Sequence, residues 1–345
     1  MKKRIDWTTP HSEAFIEKHI AEVDWYTISG YQKLSEKFIE RYADRVNWCD
    51  ISRYQKLSEQ FIARHADKVD WAYISCHQKL SESFIEKYSD KVDWENISCS
   101  QKLSEKFIEK HADKVYWEFI SCFQKLSEPF IDRHAAKVNW YSISVRQKLS
   151  EAFIEKYSDK VSWYSISCSQ KLSEKFIEKH ADKVDWFNIS EYQKLSEAFI
   201  ERHAYVDWWN ISCYQKLSPS FRKKYNIQLP ENNWLYKPTS FKKKAVQDTG
   251  LYECHKDYFI AYKGIRSDRY SKYNFQYKYE NGGVYESTAD FTAGENSFGL
   301  SAWTEEKAKA YCDELVVRVK IYYKDVARVV HKGGKIRATK IEVLD

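Results

Sequence analysis

The sequence predicts an all-α solenoid of short two-helix repeats over residues 1–225, a connector over 226–250 and a small α+β domain over 251–345. Three observations carry this reading. Tryptophan recurs at a fixed interval through nearly two thirds of the chain. The same polar and apolar residues return around each tryptophan in the same order. Beyond Tyr225 the interval stops, and glycine and alternating β-branched residues take over.

Trp25, Trp48, Trp71, Trp94, Trp117, Trp140, Trp163 and Trp186 stand 23 residues apart, and Trp208 follows after 22. Trp7 precedes Trp25 by 18, as in a shortened first unit. A period of this length marks stacked repeats, in which one unit cannot bury its apolar face alone and neighbours complete the core. The unit reads Trp-x-x-Ile-Ser-x-x-Gln-Lys-Leu-Ser-Glu-x-Phe-Ile and closes on a charged stretch. Nine units follow the truncated one.

Each unit contains two helix starts. Asp24, Asn47, Asp70, Asp93, Asn139, Ser162, Asp185 and Asp207 stand just before the tryptophan, where a side-chain oxygen caps the first turn. Val23 and Ile28 flank that cap as a hydrophobic staple. Ser35 begins the second helix, with Leu34 and Ile39 as its staple, and Pro219 after Ser218 fits the first helical position. The expectation is a helix of about nine residues and one of about eleven per unit, either partly 3₁₀.

At 100° per residue, Trp, Ile, Ser and Gln of the first helix share one side. The positions one, two, five and six after the tryptophan fall on the other side and vary between units. They carry Tyr26, Tyr31, Tyr54, Tyr73, Phe119, Phe123, Tyr141, Tyr164, Phe187, Tyr192, Trp209 and Tyr214. A duplicated scaffold keeps its core and diversifies a free surface, and aromatics there have the character of binding hot spots. These twelve residues are the candidate partner-binding set, with a protein as the expected partner. The competing reading is that the face packs against other parts of the chain. On the second helix, Glu36, Lys37, Glu40, Arg41, Asp44 and Arg45 have like-charged counterparts in most units, the pattern of a solvated face.

Cys76, Cys99, Cys122, Cys168 and Cys213 occupy one repeat position. Equivalent atoms of neighbouring units are about 8–10 Å apart, beyond the roughly 7 Å reach of a disulfide. No Cys-x-x-Cys pair occurs, so reduced thiols and a cytoplasmic location are expected and no metal site is. His19, His65, His111, His134, His180 and His203 also share a position, which Tyr42, Tyr88 and Tyr157 fill elsewhere. A metal ligand does not exchange with tyrosine, so packing is the expected role.

With 43% hydrophobic residues, 17% aromatics and a formal charge of +6, the chain is not of disordered composition. Its start is basic, with no apolar run after it to suggest a secretory signal, and no run of residues is apolar enough to span a membrane. An RNA-binding solenoid is the alternative for aromatic-rich stacked helices. The variable face carries Asp50, Glu95, Glu118 and Glu191 against Arg53 and Arg146, which weighs against a phosphate surface.

In the last region, Tyr258–Ile265, Tyr273–Tyr279, Gly283–Ser287 and Phe298–Trp303 read as strands. A helix capped by Thr304 runs to about Asp313. Glu314–Tyr323, Ala327–His331 and Lys335–Leu344 are further strands, the last two joined by Gly333-Gly334. No Walker loop, His-Glu-x-x-His or serine elbow is present. Tyr262-Lys263-Gly264 on a first strand, Gly299-Leu300-Ser301-Ala302 before a helix and Ala310-Tyr311-Cys312 within it resemble the layout of ADP-ribosyltransferase folds. That resemblance implies NAD as cofactor, Lys263 in place of the family's Arg or His, Tyr311 as the stacking aromatic, and Glu342 or Glu314 as the acid. It makes a nucleotide-binding or transferase module the alternative function; otherwise no cofactor is expected. The recurring Gln-Lys-Leu-Ser-Glu-x-Phe-Ile and Val-Asp-Trp-x-x-Ile-Ser, with Tyr273-Asn274-Phe275-Gln276-Tyr277 and Asn296-Ser297-Phe298-Gly299-Leu300-Ser301-Ala302-Trp303, resemble uncharacterised repeat proteins of giant DNA viruses and phages. That second resemblance implies a viral origin and a place in the host cytoplasm.

Overall fold

The computed structural model describes residues 5–230, 233–272, 274–294 and 297–345. Tyr273 and Asn296, which belong to the expected strand and the quoted segments, lie outside them. Two compact units divide the chain, one reaching Asn139 and the other running from Trp140 to Asp345. The architecture is a helical repeat followed by a small α+β domain: nineteen short helices among the described residues, then an antiparallel sheet.

The repeat helices are shorter than expected. Trp25–Tyr31 has seven residues and Glu36–Arg41 six, and the other full units copy them. The first stops because Gln32 turns extended (φ −93°, ψ 150°), so that the Gln-Lys-Leu segment runs as open chain. The second stops at Tyr42 (φ −115°, ψ 28°) and passes into a turn closed by Val46 N–H donating to the Tyr42 carbonyl. Caps form where the sequence places them. Asp24, Asn47, Asp70, Asp93, Ser162, Asp185 and Asp207 accept a backbone N–H from the first turn, as do Ser35 and its counterparts through Ser218. Tyr116 stands at one cap position and makes no such bond.

The recurring polar residues link one unit to the next. Gln55 is buried; its amide nitrogen donates to the Ser29 carbonyl at 2.8 Å and the Gln32 carbonyl at 2.7 Å, and its oxygen accepts from Leu34 N–H at 3.0 Å. Gln78, Gln101, Gln170, Gln193 and Gln215 repeat all three bonds. Each glutamine thus satisfies backbone groups that a short helix and an extended segment leave open. Ser29 donates to the Trp25 carbonyl and accepts from the Asn47 N–H of the following unit.

The repeat tryptophans from Trp25 to Trp186 are half-buried rather than enclosed. Trp48 lies against Phe61 (6.1 Å) and His65 (4.8 Å), its Nε1–H donates to the Ala43 carbonyl, and Lys68 covers its face. Tyr42 replaces the histidine beside Trp25 at 5.0 Å, as a packing role allows. The charged face of the second helices also departs from expectation, being more than solvated. Glu36 accepts from Ser58 N–H, and His65, His111 and His180 bond Glu40, Glu86 and Glu155 of the preceding unit at 3.0, 2.7 and 2.7 Å. Its glutamates therefore also join units.

The C-terminal region contains β1 (Glu253–Cys254), β2 (Tyr258–Ile265), β3 (Tyr270–Ser271), β4 (Asn274–Lys278), β5 (Val284–Glu286), β6 (Leu300–Trp303), β7 (Leu315–Tyr322), β8 (Val326–Val330), β9 (Lys335–Ala338) and β10 (Lys340–Val343). The main sheet runs β5-β10-β7-β2-β6-β9-β8, with β1 on β2, while β3 and β4 pair separately. The expected strand Lys335–Leu344 is two strands. It changes partners at Thr339, whose N–H and hydroxyl donate to the Asp325 carbonyl, so β9 joins β6 and β8 while β10 joins β5 and β7. The helix Glu305–Tyr311 ends before Asp313 and lies so close to β2 that a Cβ on Gly264 would meet the Ala308 carbonyl at 2.2 Å. Gly299, at φ +119°, leaves no room for a Cβ between Ala289 and Arg337.

Residues 226–250 contribute structure of their own. Trp234 and Val246, from the turn Trp234–Tyr236 and the helix Thr239–Gln247, enter the core of the sheet together with Cys213. Tyr236 closes the glutamine ladder. Its hydroxyl donates to the Gln215 carbonyl and accepts from Leu217 N–H, two of the three groups a further glutamine would take, while Asn233 donates to the Cys213 carbonyl.

Candidate functional site

The variable positions separate into three groups. In the first compact unit Tyr26, Tyr31, Tyr54 and Phe123 are exposed, whereas Tyr73 and Phe119 are partly covered. Arg53 lies over both Tyr54 and Tyr73, at 5.0 and 5.3 Å from the ring centroids, and Phe119 packs beside Phe123. In the second unit Tyr141, Tyr164, Phe187 and Trp209 follow the tryptophan of four consecutive repeats whose first helices pack side by side. They are 62, 62, 54 and 63% exposed.

Tyr192 and Tyr214 form the third group, which turns inward. Tyr192 meets Phe298 at 4.6 Å, and Tyr214 meets Phe298 and Phe291 at 5.2 and 5.9 Å. Thr288 donates to the Tyr192 carbonyl. Burial raises both phenol pKa values. For these two residues the face is packed against the chain's own sheet, as the competing reading had it.

The five cysteines at one repeat position are free thiols, and so are Cys49, Cys254 and Cys312. Among the described residues no group of three His, Cys, Asp or Glu side chains converges as a metal site. No helix among them is long and apolar enough to cross a membrane.

A cavity of about 1120 Å³ opens between the last three repeats and the sheet domain, entirely within the second compact unit. Its repeat wall is the extended Gln-Lys-Leu segments, which present Lys171, Lys194 and Lys216. Across from them the sheet contributes Lys263 and Lys335, with Tyr279, Trp303 and Tyr311. Lys263 is 5% exposed; its Nζ donates to the Ser301 carbonyl at 2.8 Å and lies 4.7 Å from the Tyr279 ring and 5.5 Å from the Trp303 ring. Burial, with Lys335 nearby, pushes its pKa down to about 7. Tyr311 stacks on Trp303 at 4.6 Å.

Two of the four residues that the ADP-ribosyltransferase resemblance pointed to, Lys263 and Tyr311, therefore line one cavity. Glu342 does not. In the β2–β7–β10 register Lys263 stands opposite Val317 on the core face, whereas Glu342 pairs with Lys320 on the other face and binds it at 3.2 Å. Glu314 is held in a turn, accepting from Ser267 N–H and Oγ at 3.0 Å. The acid that transfer chemistry requires is not assembled beside Lys263 from either residue.

Sequence reasoning missed the lysine wall. Its signal was present in the invariant Lys of Gln-Lys-Leu, which looks like an ordinary solvated residue until a sheet is placed opposite it. Compared with protein-family models, with curated proteins and with solved structures, the chain finds no match in any of the three.

Proposed function

We propose that the protein is a binding scaffold whose repeats grip a protein partner through the exposed aromatics of their first helices. One observation carries this reading: Tyr141, Tyr164, Phe187 and Trp209 occupy the same position of four consecutive repeats and remain more than half exposed. Large rings left in water at a regular interval contribute nothing to the fold they sit on, and such rings supply most of the energy of protein interfaces. The inter-unit bonds of Gln, Ser and Glu hold the backbone that presents them, so the rings are displayed on a fixed frame. On the viral resemblance, the partner belongs to a host cell and the protein acts in its cytoplasm.

The test replaces Tyr141, Tyr164, Phe187 and Trp209 with serine, in pairs and together, and compares capture from cell lysate with the unsubstituted chain. Partners retained by the parent and lost from the fourfold variant support the reading. An unchanged set of captured proteins removes that face as the site.

A further inference from the structure

The described residues of the cavity in the second compact unit carry an excess of positive charge. Among the described residues lining it are eight lysines and two carboxylates, Glu286 and Asp325. Glu286 is already engaged by Lys340 at 2.8 Å and Lys194 at 3.4 Å. Lys171 and Lys216 are exposed on the repeat wall and make no close ion pair among the described residues, and the buried Asp325 is left to act through space on Lys216, Lys242, Lys324 and Lys340 together. The two deeper ammonium groups rest on neutral carbonyls: Lys263 on Ser301, and Lys242, 2% exposed, on that of Lys324 at 2.9 Å. Buried charges in proteins are ordinarily paired, because an unpaired ammonium loses its hydration without compensation. A cavity whose described lysines outnumber its carboxylates eight to two, with no carboxylate acting on the buried Lys263, suits an anion brought from outside.

We infer that this cavity binds a phosphorylated small molecule of nucleotide size, its phosphates lying between Lys171 and Lys216 of the repeats and Lys263 of the sheet. Size and charge both favour this class. The volume, about 1120 Å³, lies just above the roughly 300–1,000 Å³ typical of small-molecule sites, room enough for a nucleotide. Lysine is a point-charge donor suited to phosphate, and two linked phosphates bring several negative charges to a wall of several lysines. A protein or nucleic-acid chain would meet Lys171 and Lys216 but not Lys263, which lies inside. Neither the repeats nor the sheet alone forms the site, which gives a reason for the two being joined through a shared core. This inference is independent of the aromatic row, whose residues lie outside the cavity.

The test is calorimetric titration of the full chain with sodium pyrophosphate and with ADP at low and moderate salt. Saturable binding of either probe is expected, weakening with salt and at least tenfold weaker in the Lys171→Ala, Lys216→Ala double variant and in Lys263→Met. The double variant changes only exposed side chains, so it decides the matter independently of Lys263→Met. Absence of heat with both probes at millimolar concentration overturns the inference. So does binding that the double variant leaves unchanged, or binding of a single-stranded RNA that pyrophosphate fails to displace.

Discussion

The repeats and the C-terminal sheet bury polar groups in opposite ways. In the repeats Gln55, Gln78, Gln101, Gln170, Gln193 and Gln215 have both ends of the amide engaged, and the serines and glutamates around them bond the neighbouring unit. Around the cavity, Lys263 on the sheet and Lys242 on the Thr239–Gln247 helix are buried amines whose Nζ donates to a carbonyl oxygen rather than to a carboxylate, and burial lowers both pKa values. The first arrangement is closed and leaves function to the exposed rings. The second is open, with donors aimed into space. A buried polar residue is architecture when its partners are in the chain, and a candidate for binding when they are not.

Breaking the ladder is the strongest challenge to the first half of that comparison. Gln101→Leu leaves the Ser75 and Gln78 carbonyls and Leu80 N–H without a partner. At about 1–3 kcal/mol for each buried group left open, the loss is about 3 kcal/mol or more, read by denaturant unfolding. A loss below about 1 kcal/mol would mean that apolar stacking alone holds the units. A smaller effect, about 1–3 kcal/mol, is expected for Tyr236→Phe, which uncaps the last rung. Hydrogen exchange should show it confined to the end of the repeats.

Lys263→Met sharpens the other half. Its folded pKa of about 7 lies below the ordinary 10.5, so between those values the unfolded chain binds more protons and stability rises with pH. The groups nearest the ammonium are Lys335, Tyr279 and Trp303, none of them anionic at neutral pH. The substitution should flatten that rise and raise stability near pH 7 by about 1 kcal/mol or more, the usual result of removing a buried charge. Thermal melts at pH 7, 8.5 and 10 would check both. The smallest effect on stability is expected where the effect on binding is largest: Tyr141→Ser and Trp209→Ser should each stay within about 0.5 kcal/mol of the parent.

Much of this was legible in the sequence. The period, both caps, the inward Ile, Leu and Phe positions and most strands follow from spacing and turn chemistry. The length of the first helices did not, because what ends each of them is an extended segment held by a glutamine 20–26 residues away, a bond that no local pattern reveals. Tyr192 and Tyr214 look like their exposed counterparts; only the docking of Phe298 and Phe291 separates them. The cavity was hidden for the same reason. Lys171, Lys194 and Lys216 stand in the same Gln-Lys-Leu tripeptide as Lys56, Lys79 and Lys102, and nothing in the repeat marks the first three as lining a cavity with Lys263.

That internal duplication supplies the most direct measurement. Hydrogen exchange of the full chain, with and without pyrophosphate, compares the same Gln-Lys-Leu segment in two settings. The account predicts protection around Lys171, Lys194, Lys216 and β2, and none around Lys56, Lys79 and Lys102. Equal protection in both sets, or none in either, would contradict it.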